Sequence, residues 1–235
     1  MSQPEFDRYS GSYEELLKDP IRDRFTGSGQ QFFHVRKRDL IREHFSGLGV
    51  DTRALRYLDI GCGKGELLSL LRNDFCEVAG CDPSPGMLSS SQGVETRVQE
   101  NAGQIPFQDA VFDFVTAVCV YHHVPASSRL ALTHEVSRVL KPGGVFAIIE
   151  HNPYNPVTRL IVSRTPVDAD AVLLRASEAR GWMQAAGFTC AAPRYFLYFP
   201  EAVYQRTGDG LESLLRGVPL GGQYAVFGTK ESVQL

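Results

Sequence analysis

The chain has 235 residues, 43% hydrophobic and 22% charged, enough to bury a sizeable core in one folded domain. Its formal net charge of −3 gives no general attraction to nucleic acid or to an anionic membrane. No apolar run reaches a membrane-spanning length, and the opening Met1-Ser2-Gln3-Pro4-Glu5 lacks a signal-peptide core, so a cytoplasmic protein without membrane association is expected.

Taken in chain order, residues 1–28 are polar and are expected to be loosely ordered alone. Residues 31–45 place Phe32, Val35, Leu40, Ile41 and Phe45 on an amphipathic helix. The basic run Arg36-Lys37-Arg38 within it is interrupted by Asp39 and Glu43 and reads as a solvated helix face, with a phosphate-binding patch as the alternative. From residue 55 to about 150 strand-like and helix-like segments alternate, which argues for a doubly wound parallel sheet. Strands are predicted at 55–60, 77–81, 95–99, 112–120 and 145–149. A helix is predicted at 127–141, with Leu132, Val136, Val139 and Leu140 along one face and a stop at Lys141-Pro142-Gly143-Gly144. Residues 170–187 read as a further helix ending at Gly187, and 195–199 and 224–228 as two more strands. The gap between those strands is too long for a tight hairpin and implies an inserted lid or cap. The five cysteines, Cys62, Cys76, Cys81, Cys119 and Cys190, are odd in number and include no Cys-x-x-Cys. Reduced, mostly buried thiols are expected, with no zinc site.

The segment Leu58-Asp59-Ile60-Gly61-Cys62-Gly63-Lys64-Gly65-Glu66 carries the most functional information. An apolar strand runs into three alternating glycines and then a helix, the place where open α/β sheets bind nucleotide-like ligands. The dinucleotide fingerprint needs a glycine at the sixth position, which here is Glu66. With Asp59 before the loop, the segment resembles motif I of the class I S-adenosylmethionine-dependent methyltransferases. Asp82, at the end of strand two, Asn101-Ala102 after strand three, Phe112-Asp113-Phe114-Val115 and Arg138 to Gly144 complete the resemblance, which covers residues 55–150. It implies a Rossmann-like doubly wound seven-stranded sheet, mostly parallel with an antiparallel last strand, flanked by an N-terminal helical lid (1–50) and a substrate-side half with an inserted cap (153–235). The core between them (51–152) would hold S-adenosyl-L-methionine through Asp59, Gly61, Cys62, Gly63, Gly65, Asp82, Pro83, Met87, Asn101, Ala102, Val118 and Tyr121. Asp82 would accept the ribose hydroxyls; its alternative is a helix N-cap. Asn101 stands where the family usually has aspartate, and would accept from the adenine amino group or simply form a turn. Asp113 and the Pro-Gly-Gly turn read as structural.

The ligand in such a sheet lies beyond the carboxyl ends of the strands, beside Tyr121-His122-His123 and Glu150-His151-Asn152. His151 and His122 are the candidate general bases, His151 foremost; His123 reads as a packed histidine. Glu150 would orient His151 or face solvent. Tyr195 to Phe199 reads as a strand or as the wall of an apolar pocket. The expected function is methyl transfer to a small polar metabolite, a sugar or secondary-metabolite intermediate, on oxygen or nitrogen, by a monomer or homodimer. The resemblance of residues 150–171 to methyltransferases of bacterial polysaccharide and secondary metabolism supports that choice. The alternatives are a nucleic-acid methyltransferase, a non-catalytic binder of the cofactor, and different chemistry on the same cofactor.

Overall fold

A computed structural model of the chain describes residues 5–26, 31–91, 93–101 and 103–231. Ala102, one of the expected cofactor contacts, lies outside the described residues.

Two short helices, α1 (Tyr13–Leu16) and α2 (Pro20–Thr26), precede the long α3 (Gln31–Gly47). The alternating unit follows: β1 (Arg56–Ile60), α4 (Glu66–Leu71), β2 (Glu77–Asp82), α5 (Pro85–Leu88), β3 (Glu95–Val98), β4 (Phe112–Val118), α6 (Ala126–Val139) and β5 (Leu140–His151). The chain then passes through α7 (Pro156–Val162), α8 (Ala176–Ala185), β6 (Phe188–Cys190), β7 (Arg194–Phe196), α9 (Glu201–Thr207), α10 (Gly210–Leu215) and β8 (Gln223–Lys230). The sheet order is β3-β2-β1-β4-β5-β8-β6, and β7 also pairs with β8. The first five strands are mutually parallel, while β8 runs antiparallel to β5. Because β6 and β7 pair with opposite ends of β8, they are two pieces of one interrupted edge strand, and the sheet is seven strands wide.

The central strands are apolar on both faces because helices cover both. In β1, Leu58 and Ile60 join one core with Phe112, Val115, Phe146 and Tyr224. Tyr57 points the other way and stacks on Phe114 with ring centroids 5.2 Å apart, within a second core that includes Phe45, Phe75 and Phe227. Gly80 of β2 is required for packing: a Cβ there would stand 2.6 Å from Cys62 Sγ and 2.7 Å from Leu68 Cδ1. Cys62 therefore turns its thiol into the core beneath the loop.

Several elements differ from expectation, each through tertiary contact. The strand expected at 145–149 begins at Leu140, bulges over 141–144 and continues to His151, because β8 offers a partner for the whole of Val145 to His151. The helix expected over 170–187 begins only at Ala176. Val172 N donates to His122 O at 3.0 Å, which holds the preceding segment extended, and Glu178 accepts from Arg175 N to cap the helix. The strand expected over 195–199 stops at Phe196, because Leu197 turns to φ +62°. The Arg36-Lys37 part of the expected solvated face is buried. Arg36 forms ion pairs with Glu212 (2.8 Å) and Asp209 (2.5 Å), which ties α3 to the inserted α9–α10 segment. Residues 5–26 acquire order by docking: Asp7 Oδ1 accepts from Ser84 Oγ (2.6 Å) and Gly86 N (2.9 Å), Glu14 pairs with Lys64, and Asp19 pairs with Arg164. Cys76 is exposed, contrary to a buried thiol.

Gly80→Ala is expected to lower the unfolding free energy by about 1–3 kcal/mol through overpacking against Cys62 and Leu68. Urea denaturation followed by circular dichroism measures it, and stability equal to wild type would refute the close approach.

Candidate active site

The loop after β1 takes its shape from three glycines with positive φ, Gly61 (65°), Gly63 (54°) and Gly65 (78°), a region that side-chain-bearing residues rarely adopt. A Cβ on Gly61 would lie 2.4 Å from Val120 Cγ2, and one on Gly65 2.9 Å from Ser91 Oγ. At Gly63 it would meet only Met87 Cε, at 3.5 Å, so the backbone there faces open space. Asp82 fastens this loop: Oδ2 accepts from Gly63 N (2.9 Å) and Oδ1 from Ser84 N (2.8 Å). The N-cap of α5 is Ser84, whose Oγ accepts from Met87 N, so helix capping does not explain Asp82. Burial raises the Asp82 carboxyl above its ordinary value.

Asp59 lies beneath the loop, accepts from Thr116 Oγ1 at 2.5 Å, and is pushed up to about 7 by burial, against the opposing effects of that bond and of Lys37. Pro83 is exposed and Met87 buried. Asn101 closes an Asx turn, its Oδ1 accepting from Gly103 N at 2.8 Å, as a turn asparagine does. Val118 packs against the Phe114 side of the sheet. The Tyr121 side chain is committed to the core, with its hydroxyl 2.9 Å from Thr133 Oγ1 and its ring stacked on Trp182, so only its backbone faces the strand ends.

The polar end of the cleft is built around Glu150, which has no solvent exposure. Its Oε1 accepts from Tyr121 N (2.8 Å), and its Oε2 lies 2.6 Å from His122 Nδ1 and accepts from His151 N (3.3 Å). Glu150 therefore orients His122, not the His151 ring as one sequence-based alternative had it. On its other side His122 Nε2 lies 3.6 Å from Asp168 Oδ1, and His123 Nε2 lies 3.4 Å from the same oxygen. Burial opposes the His122 cation, but Glu150 and Asp168 outweigh it and raise the imidazole to about 10. The same pairing outweighs burial at Glu150 and holds its carboxyl below the usual range. A histidine so enclosed is a fixed cation at neutral pH and a poor proton acceptor. The His151 ring is more accessible, 5.4 Å from that of His122, with Nδ1 3.4 Å from Gln223 Nε2.

Four further residues meet here that the sequence did not assign to catalysis or to the cofactor. Cys119 directly follows β4 at φ +56°, a strained conformation for a residue with a side chain. Burial would raise its thiol, but Lys37 and His151 bring it down to about 7. Lys37 is 5% exposed and points inward, with Nζ 3.9 Å from Cys119 Sγ. A helical stripe signals this, since Lys37 shares the face of Ile41 and His44 at i+4 and i+7. Asp168, in the 3-10 turn Pro166–Asp168 after α7, and Gln223, at the start of β8, carried no local signal. From above, α1 packs on that 3-10 turn and brings Tyr13 near Asp168 and Cys119.

Residues 58–148 match a family model described as a methyltransferase domain. An uncharacterised methyltransferase of Synechocystis is 32% identical over 121 residues, 48% of this chain and 57% of that protein. Residues 58–148 are thus similar to a methyltransferase domain. The tRNA (carboxymethyluridine(34)-5-O)-methyltransferase of Arabidopsis thaliana is 33% identical over 118 residues, 49% of this chain but 28% of that protein. The matches thus span little more than half, or less, of these relatives. A Thermotoga maritima structure described as a possible histamine N-methyltransferase superposes with a TM-score of 0.68 at 19% identity, covering 96% of this chain and 98% of that one, which is agreement in fold. The residues present suit the cofactor of this family: the backbone at Gly63 is open, and the buried Asp82 carboxylate stands beside it at the end of β2.

The protein should lose about 3–5 kcal/mol of stability on Glu150→Ala, which strands the buried His122 cation. The His122 contribution is full below pH 6.5 and lost as pH rises through about 10, and that of Glu150 is full above pH 4.5 and lost as pH falls through its lowered value. Thermal stability should therefore be greatest between about pH 4.5 and 6.5, and its alkaline decline shallower in Glu150→Gln. Parallel alkaline slopes would count against the pair.

Proposed function

We propose that the protein transfers a methyl group from S-adenosylmethionine to a hydroxyl or amine of a small polar metabolite, a sugar or secondary-metabolite intermediate, with His151 as the general base. The observation that carries this reading is the cluster of polar and ionisable groups at the ends of β4 and β5, where Lys37 reaches Cys119 and Asp168 meets His122 and His123. The packing of α1 on the 3-10 turn that carries Asp168 brings Tyr13 near Asp168 and Cys119. Strand ends covered by the protein's own N-terminal segment suit a small acceptor better than a polymer. Residues 1–50 then serve as a lid, 51–152 as the cofactor-binding core and 153–235 as the substrate side, within one domain, acting as a monomer or homodimer.

Bound in the loop, the cofactor supplies an activated methyl: a bond from the acceptor oxygen or nitrogen to the methyl carbon forms as the sulfur–carbon bond breaks, leaving a neutral thioether. Holding the acceptor in line supplies much of the rate. The chain's own residues position the acceptor and take its proton. His151 is suited to the second task by its ring, which is more accessible than that of His122, and by the imidazole being the commonest general base. His122, clamped between two carboxylates, is assigned to orientation in preference to proton transfer. Gly63 and Asp82 are assigned to the cofactor, with Asp82 on the ribose.

Among the described residues no helix is long and apolar enough to cross a membrane. A cytoplasmic location remains our proposal, supported by five free cysteines. Transfer to tRNA is the second reading, favoured by the Arabidopsis relative and opposed by the net charge of −3 and by the burial of Arg36 and Lys37.

Purified protein supplied with methyl-labelled cofactor should label a hydroxylated or amine-bearing metabolite from a screened panel and leave total tRNA unlabelled; the reverse outcome replaces the first reading by the second. With the acceptor in hand, His151→Gln should slow turnover about 10²–10⁴-fold with unchanged cofactor affinity. An unaltered kcat removes His151 from the chemistry. Asp82→Ala should weaken cofactor binding by about 1.5–3 kcal/mol in calorimetry, and equal affinity would remove its ribose role.

A further inference from the structure

His122, His123 and Asp168 converge at the substrate end of the cleft in a way the proposed methyl transfer does not by itself require. One ligand atom from each of the three lies within 4.8 Å of the others, and the Nε2 atoms of His122 and His123 stand 3.6 and 3.4 Å from Asp168 Oδ1. Ligand atoms held at zinc–nitrogen and zinc–oxygen distances of about 2.0–2.2 Å in a tetrahedron stand roughly 3.4 Å apart. Two of the three edges therefore already have the spacing that a bound ion needs.

The surroundings suit a metal as well. Glu150 sits 2.6 Å from His122 Nδ1, so one proton stays on that nitrogen, and an ion would displace the second proton, from the Nε2 that faces Asp168. A carboxylate behind the histidine is the usual outer partner of a metal-bound imidazole, and it fixes both tautomer and ring orientation. His122 is buried, while His123 and Asp168 are only partly so, and the His151 ring lies 5.4 Å from that of His122. Two nitrogens and one oxygen favour zinc or a similar transition ion over magnesium or calcium, which prefer all-oxygen cages.

We propose that His122, His123 and Asp168 form a divalent transition-metal site, for zinc or a zinc-like ion, whose open position takes the acceptor hydroxyl. This use of the site rests on the methyl-transfer reading above; metal binding itself does not. A hydroxyl on such an ion loses its proton far more readily than in water. The proton passes to the His151 imidazole, and the oxygen lone pair that remains is the nucleophile.

The test uses the full chain after chelator treatment and dialysis. Zinc is titrated by calorimetry and cobalt(II) by visible absorption, and S-adenosylmethionine affinity is measured on the same samples. The expected result is one equivalent of metal per chain with the intense visible bands of four-coordinate cobalt. Zinc affinity should fall at least 10–100-fold in His123→Ala and in Asp168→Asn, with cofactor affinity kept. No stoichiometric uptake by the wild type overturns the site, and so does equal uptake by the two variants. If a variant loses cofactor binding through misfolding, the wild-type cobalt spectrum decides: bands of nitrogen and oxygen ligands support the site, and a thiolate charge-transfer band assigns the metal to cysteine and overturns it. Metal uptake with no methyl transfer to any acceptor removes the methyl-transfer reading and leaves the site standing. Methyl transfer unaffected by chelation, in a protein that takes up no metal, removes the site and leaves that reading standing.

Discussion

A single buried carboxylate organises the functional end of this molecule. Glu150 leaves β5 with no solvent around it, and such a charge is tolerated only when it is paired and hydrogen-bonded. Its oxygens meet that demand from both sides of the cleft, taking Tyr121 N and His122 Nδ1 from the segment after β4 and His151 N from its own strand. The ends of β4 and β5, which the parallel ladder brings side by side, are thereby locked together beyond the last strand pair, Val118 with Ile149. Asp168 then completes the line of alternating charge from a segment that the sheet does not touch.

The same logic of buried charge fastens the covers of the cleft. Arg36 on α3 reaches Glu212 and Asp209 of α10 and its cap, and Lys37 beside it turns inward toward Cys119. One turn of helix thus links the inserted segment before β8 to the carboxyl end of β4. On the opposite side Asp7, Glu14 and Asp19 dock the N-terminal helices onto the α5 turn, the glycine loop and the end of α7. Segments from both ends of the chain meet over the sheet. Exposed ion pairs such as Glu14–Lys64 contribute little individually, so the docking of the N-terminal helices rests more on Asp7 and on the buried Asp19.

Within the sheet, close approach is what gives the glycine loop its form. Gly80 leaves room for Cys62, and Gly61 leaves room for Val120. The loop lies flat on the strand ends, and the Gly63 backbone faces outward beside Asp82. Three constraints, positive φ, absent Cβ and a carboxylate accepting backbone N–H groups, act on a few consecutive residues, which is why this region could be read locally.

That locality separates what the sequence by itself determined from what only the tertiary structure decided. Alternating apolar strands and helices, the glycine triplet and the acid at the end of β2 are short-range patterns whose physics lies within a few residues, and they were enough for the sheet, the cofactor class and the position of the cleft. That Asp82 does not cap α5 needed the structure, because Ser84 two residues on does the capping. The start of α8 and the length of β5 depended on remote partners, His122 O and β8, and no local propensity encodes those. The polar centre was the least legible. His122, Glu150 and Asp168 are separated by 28 and 18 residues in turn along the chain, and Lys37 looked like one more charge on a solvated helix. Side chains so far apart in sequence acquire their chemistry only when folding removes water from between them, and it is that loss of solvent, not residue type, that makes them a site.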